Sequence, residues 1–178
     1  MDKYDRVQFN TNKLLRLLSY NNAPDWFQKE LRSEVAYILK PEWLERGNVI
    51  EYTNAYFVGS TNEDGVESGE GICMYDNGDI YLGSYMEGRM HGEGFYYYAS
   101  RNSIYYGGWE NGDKHGHGYV WGPGYESQGY YKNGKEIRCD FVRNGGDYSS
   151  NTSVSEEEGK GCGCLILIAI AVIWWIFF

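Results

Sequence analysis

Proline is nearly missing from this chain, with 3 residues in 178 against 24 glycines. That contrast excludes collagen-like and Pro-rich disordered architectures, and it implies that glycine occupies placed positions rather than loose linkers. Cysteine is scarce and unorganised. Cys73, Cys139, Cys162 and Cys164 form no C-x-x-C pair and have no histidines at zinc spacing, and the opening Met-Asp-Lys-Tyr-Asp-Arg lacks the apolar run of a signal peptide. A reducing, cytosol-facing setting is expected. Basic excess is also absent: the net charge is -9. Residues 1–52 are neutral, with eight Lys/Arg against eight Asp/Glu, whereas residues 53–150 carry seven against fourteen. This disfavours nucleic acid, and anionic lipid headgroups, as the main ligand of the central region.

Catalytic signatures are lacking too. There is no G-x-S-x-G, no Walker loop and no H-E-x-x-H, and the many G-x-G steps are not followed by the helix that a dinucleotide site requires. Asp76-Asn-Gly-Asp79 is too short for a calcium loop and reads as a turn. His115 and His117 would share one strand face but supply at best half a zinc site. No catalytic residues, metal or cofactor are therefore expected, and the chain is read as a non-enzyme.

What the chain does have is aromatic side chains, 17% of the sequence with 18 tyrosines. That surplus suits a half-buried sheet, where a ring packs on one side and keeps its hydroxyl wet. The glycines and rings recur together. His91-Gly-Glu-Gly-Phe and His115-Gly-His-Gly-Tyr are one H-G-x-G step 24 residues apart (115 minus 91), and Gly69-Glu-Gly is a degenerate copy. Tyr81-Leu-Gly83-Ser-Tyr85-Met-Glu-Gly88 and Tyr105-Tyr-Gly107-Gly-Trp109-Glu-Asn-Gly112 share the frame Y-x-G-x-[YW]-x-x-G, and Ser127 to Gly134 repeats it without the first aromatic. Strand alternation puts ring, glycine, ring on one face, with Gly83, Gly107 and Gly129 leaving slots for rings of neighbouring strands. Glu87-Gly88, Asn111-Gly112 and Asn133-Gly134 then predict tight hairpin turns, so each repeat is one hairpin.

Y-x-G-x-W-x-N-G followed by H-G-x-G resembles the MORN repeat (membrane occupation and recognition nexus). Tyr105 to Tyr119 is the best copy and Tyr81 to Phe95 the second. The resemblance covers roughly Phe57 to Gly134, as two good repeats and two partial ones: Ser68 stands in place of the histidine in the first, and Lys135-Glu-Ile-Arg replaces H-G-x-G in the last. It implies a mainly β fold, a single-layer antiparallel sheet of successive hairpins with aromatics lining a shallow trough. It also implies a scaffold rather than an enzyme.

Residues 1–52 read as a helical N-terminal module. Thr11 would cap a first helix bearing Leu14, Leu15, Leu17 and Leu18. A second starts at Pro24-Asp25, carries Phe27, Leu31, Val35 and Ile38 on one face, and ends at Lys40-Pro41. Two roles fit the pair: covering the first edge of the repeat sheet, or docking a partner or second copy. The repeat sheet is assigned to 53–143, and a flexible acidic linker to 144–161.

Residues 162–178 follow as a transmembrane anchor. Cys162-Gly-Cys164-Leu-Ile-Leu-Ile-Ala-Ile-Ala-Val-Ile-Trp-Trp-Ile-Phe-Phe178 has no charge, and Gly161 to Phe178 would extend about 27 Å as a helix, near the lower limit for spanning. Leu165, Ile168 and Val172 would lie in the hydrocarbon, with Trp174, Trp175 and Phe178 toward the far interface. The repeats would then face the cytosol as a single-pass, tail-anchored protein on an unspecified membrane, leaving the sequon Asn151-Thr-Ser153 unused. Cys162 and Cys164 sit where S-acylation occurs.

The favoured function is a membrane-anchored adaptor or scaffold that binds a protein partner through an aromatic trough of Tyr81, Tyr85, Tyr105, Trp109, Trp121 and Tyr131, with homo-oligomerisation open. Two alternatives stand beside it. One is lipid binding or membrane tethering by the repeats, through a basic patch of Lys132, Lys135, Arg138 and Arg143. The other is a membrane-acting effector whose repeats control the hydrophobic tail.

Overall fold

A computed structural model describes residues 3–20, 23–38 and 49–144. Two helices, α1 (Lys3–Tyr20) and α2 (Asp25–Ile38), precede nine strands: β1 (Val49–Glu51), β2 (Ala55–Thr61), β3 (Glu67–Tyr75), β4 (Ile80–Met86), β5 (Arg89–Tyr98), β6 (Ser103–Glu110), β7 (Asp113–Gly122), β8 (Tyr125–Lys132) and β9 (Lys135–Asn144). The strands form one open antiparallel sheet in strict chain order. Successive hairpins of this kind fit the fold that the repeat implies. The linker beyond Asn144 and the apolar segment 162–178 lie outside the described residues, and no helix among the described residues is long and apolar enough to cross a membrane.

The turns form as their residues dictate. Glu87-Gly88, Asn111-Gly112 and Asn133-Gly134 have φ of 50° and 76°, 52° and 91°, and 49° and 76°. Positive φ at both central positions is the type I′ geometry, whose twist matches that of the flanking strands. Between repeats, Asp79 does the joining: its Oδ1 accepts the Ala99 N–H at 2.9 Å and its Oδ2 accepts the Tyr96 hydroxyl at 3.1 Å. The two outer strands differ. β1 has three residues, whereas β9 has ten but carries register shifts opposite Gln128/Gly129 and Tyr130/Tyr131, which interrupt the row of groups a further strand would need.

The helices differ from the sequence expectation in two ways. First, α1 begins well before Thr11, which lies inside it and is 1% exposed, so Thr11 is a packed helix residue and not a cap. Second, the pair lies across one face of the sheet rather than over its first edge. Leu14, Leu18, Phe27, Leu31 and Val35 form one core with Tyr56, Val58, Ile72, Met74, Ile80, Leu82, Phe95, Tyr97, Ile104 and Trp121, which come from β2 through β7. Phe27 is fully buried, with its ring centroid 5.6 Å from Phe95, 5.4 Å from Tyr119 and 6.2 Å from Tyr106. The reason lies in the alternation of each strand. Its non-glycine parity supplies branched and aromatic side chains that cannot fill one another, and the amphipathic pair covers them.

Candidate binding face

The opposite face needs no helix because it packs on itself. Phe57, Tyr81 and Tyr105 recur every 24 residues (81 minus 57, 105 minus 81), and all three are fully buried. Each lies diagonally across a glycine pair set by the register: Gly59 opposite Gly71, Gly83 opposite Gly94, and Gly107 opposite Gly118. A Cβ built on Gly94 would stand 2.5 Å from the Tyr81 hydroxyl oxygen and 2.7 Å from Cζ; on Gly118 it would stand 2.6 and 2.7 Å from the same atoms of Tyr105. The Tyr81 hydroxyl then donates to Ser84 O at 2.9 Å and that of Tyr105 to Gly108 O at 3.0 Å.

This explains the H-G-x-G step. Its first glycine, Gly92 in the second unit and Gly116 in the third, has φ near +73° and accompanies the irregularity in the register at Gly83/Tyr85 and Gly107/Trp109. Its second glycine, Gly94 or Gly118, is the floor beneath the ring. The slot expected at Gly83 and Gly107 is thus shared with, and tightest at, the glycine of the returning strand. Gly129 has no ring over it, because Ser127 stands where the first aromatic would be; its Cβ would meet Glu136 Oε1 at 2.9 Å.

Between these rings sit Tyr85, Trp109 and Tyr131, which are 8%, 6% and 7% exposed. The six form an unbroken edge-to-face ladder. Centroid separations are 5.0 Å for Phe57–Tyr85, 5.1 Å for Tyr85–Tyr81, 5.3 Å for Tyr81–Trp109, 5.3 Å for Trp109–Tyr105 and 5.2 Å for Tyr105–Tyr131, with interplanar angles of 78° to 89°. Edge-to-face contact sets the positive rim of one ring on the negative face of the next. Trp109 Nε1–H also donates to Gly94 O at 3.2 Å.

Five of the six trough residues expected from sequence are therefore together: Tyr81, Tyr85, Tyr105, Trp109 and Tyr131. Trp121 is not among them, as it belongs to the helix-covered core on the other face. Counting parity from Gly118 would have shown this, because Tyr119 and Trp121 fall on the opposite side from the glycine. The half-buried rim around the ladder, Tyr75, Met90, Tyr96, Tyr98 and Val120, was not singled out from sequence. Tyr96 lies tilted against Tyr98 at 4.4 Å and stacks on Tyr75 at 6.2 Å.

Two basic side chains, Arg101 and Lys114, lie against the rings of this face, with Arg101 Cζ 5.8 Å from the Tyr98 centroid. Lys114 Nζ lies 4.3 Å from the Tyr105 centroid, 5.0 Å from Tyr98 and 5.4 Å from Tyr131. Burial, then the Arg101 charge, pull its pKa from 10.5 to about 8, with Glu136 opposing; the three rings also favour the cation. Burial raises the tyrosines throughout, Tyr98 and Tyr131 to about 12 and Tyr81, Tyr85 and Tyr105 further. The Cys73 thiol, buried beside them, rises to about 11, so it is protonated at neutral pH.

The histidines do not converge. His115 Nδ1 is 2.9 Å from Glu110 Oε2, and His117 Nε2 meets Gln128 Nε2 at 2.7 Å. Among the described residues no three His, Cys, Asp or Glu side chains are grouped as a metal ion would need. Cys162, Cys164, Leu165, Ile168, Val172, Trp174, Trp175 and Phe178 lie outside the described residues.

No protein-family model matches the chain. Over 53 residues it is 32% identical to a protein from Plasmodium berghei (strain Anka) named inactive protein tyrosine kinase pTKL, a match that takes in 30% of this chain and 4% of that protein. The chain thus spans only a small fraction of the length of this relative.

Proposed function

We propose that this protein is an adaptor of MORN type: its repeat sheet binds a protein partner, and its C-terminal apolar segment holds it at the cytosolic face of a membrane. The observation that carries the binding role is the asymmetry of the sheet. The helices cover only the branched face, and no described element packs on the ring face. In this reading the buried ladder is a rigid support, and Tyr75, Met90, Tyr96, Tyr98 and Val120 make the contact, since half-exposed rings give large area at low entropy cost. The match to a relative named as an inactive kinase supports binding over catalysis.

Two experiments test the two halves. A photo-crosslinking residue at Tyr96 in the full chain should trap a discrete adduct in its native cell, and one at Glu63 in the exposed turn between β2 and β3 should not; equal capture at both sites would remove the ring face from the reading. Full-length protein should pellet with membranes through alkaline extraction, while a chain lacking residues 162–178 stays in the supernatant. A full-length protein that is soluble would overturn the anchor.

A further inference from the structure

The helix pair covers only part of its own face. The core that it closes draws on β2 through β7 and takes no residue from β8 or β9. The register carries that face outward from Tyr119 to Gln128 and Phe141, and from His117 to Tyr130 and Arg138. Tyr130 and Phe141 are 39% and 43% exposed. Beyond them, Lys132 stands directly opposite Lys135 across the turn Asn133-Gly134.

This open end also reverses the charge of the sheet. Residues 53–124 hold three Lys/Arg against ten Asp/Glu, whereas here Lys132, Lys135, Arg138 and Arg143 gather beside two carboxylates, Asp140 and Glu126. Both carboxylates are already engaged: Arg138 Nε is 2.7 Å from Asp140 Oδ1, and Arg143 Nη1 is 3.0 Å from Glu126 Oε1. Asp113 lies near the turn, its Oδ1 3.4 Å from a Cβ built on Gly134. Even so, neither Lys132 nor Lys135 has an ion pair among the described residues, and like charges directly opposite each other repel. Arg138 Cζ sits 4.2 Å from the Tyr130 centroid, so cation and ring form one continuous surface.

The complement to this surface is an acidic segment, and the chain supplies one. Glu156-Glu157-Glu158 begins twelve residues after Asn144, where β9 ends. From Asn144 back to Lys135 is nine steps of strand, about 30 Å, and twelve extended residues reach about 40 Å, so the run can return as far as the lysine pair. We propose that Glu156–Glu158 docks on the open end of the helix-side face, with its carboxylates at Lys132 and Lys135. The segment would lie across the face rather than pair as a further strand, because the register shifts in β9 break its outer edge. Docking leaves only Gly159 to Gly161 before the apolar segment. If that segment is an anchor, the β8–β9 end of the sheet is held at the membrane; the contact itself does not rest on that reading, nor on partner binding by the ring face.

The test is pulsed acetylation of lysines, read by mass spectrometry, on full-length protein in mild non-ionic detergent. Lys132 and Lys135 should react about fivefold more slowly than in the variant Glu156→Gln, Glu157→Gln, Glu158→Gln, which is the scale that exposed ion pairs confer, while exposed Lys29 on α2 reacts equally in both. High salt should abolish the difference. A photo-crosslinking residue at Tyr130 should form adducts with residues 145–161 of the same chain. Lys132→Glu with Lys135→Glu should remove those adducts, and adding Glu156→Lys, Glu157→Lys and Glu158→Lys should restore them, which a merely misfolded variant would not do. Three results would overturn the proposal: lysine reactivity unchanged by the glutamine variant, adducts that join two chains, which would make the surface a contact between copies, or protection that appears only when phosphatidylserine vesicles are added, which would make it a lipid contact.

Discussion

Replacing Gly94 by alanine should destabilise the sheet through one contact, and the cost follows from the geometry. The new Cβ would stand 2.5 Å from Tyr81 Oη, 2.7 Å from Cζ and 2.8 Å from Cε2. Carbon needs about 3.5 Å, so the ring must retreat by roughly 1 Å. It has nowhere easy to go, being fully buried, with Tyr85 and Trp109 edge-on and its hydroxyl bonded to Ser84 O. Retreat forfeits about 1 kcal/mol of hydrogen bond and part of two ring contacts worth about 0.5–1.5 kcal/mol each. Alanine recovers about 0.5–1 kcal/mol of chain entropy, because the backbone at Gly94 is not left-handed. The net loss is about 2 kcal/mol, within the range for overpacked cores. Gly112→Ala is the comparison: its Cβ meets nothing within 4 Å but sits at φ +91°, so only backbone strain of about 1 kcal/mol is expected. The decisive assay is a double-mutant cycle with Tyr81→Leu, read by urea unfolding of the full chain in mild detergent. With the ring gone, Gly94→Ala should cost at least 1 kcal/mol less than in the parent. If the two changes add within about 0.5 kcal/mol, the slot account of the H-G-x-G glycine is wrong.

Other consequences are open to measurement. Phe27→Ala, which removes a fully buried ring from between α2 and β5–β7, should cost about 3–5 kcal/mol in the same urea assay. The ladder tyrosines hold their protons in the folded protein to well above the unfolded value near pH 10, so the stability they confer is complete below about pH 10 and lost as pH rises past it; the share of phenolate absorbance that Tyr81→Phe and Tyr105→Phe each remove should appear together with unfolding, not before it. Lys114 has the opposite sign. With its folded pKa lowered from 10.5 to about 8, it should make stability climb as pH goes from 8 toward 10.5, and Lys114→Met should flatten that climb in a pH series of urea midpoints. Asp79→Ala should cost about 1–3 kcal/mol by leaving the Ala99 N–H and Tyr96 hydroxyl unmet, measurable as faster amide exchange at Ala99.

Much of the architecture is written locally. The Asn-Gly turns, the strand parity of Tyr81, Gly83 and Tyr85, and the start of α2 after Pro24 each depend on a few adjacent residues, so short-range chemistry is enough to read them. Misreadings arose where two segments meet. Thr11 looked like a helix start because it is a capping residue type, yet the buried face of α1 runs through it. Trp121 looked like a trough ring by composition and faces the helices by parity.

The sequence by itself determined that this protein is a ladder of hairpins with rings and glycines on a common face, because a 24-residue period and positive-φ turns leave the backbone little choice. It also determined the uncharged C-terminal segment on which the membrane reading rests. Only the tertiary structure decided which glycine lies under each ring, that the helix pair spreads over the branched face instead of an edge, and that the basic residues of β8 and β9 share the end of that face which the helices leave open. These are contacts between residues far apart in the chain, set by how side-chain volumes fill space between layers, and no local pattern encodes that.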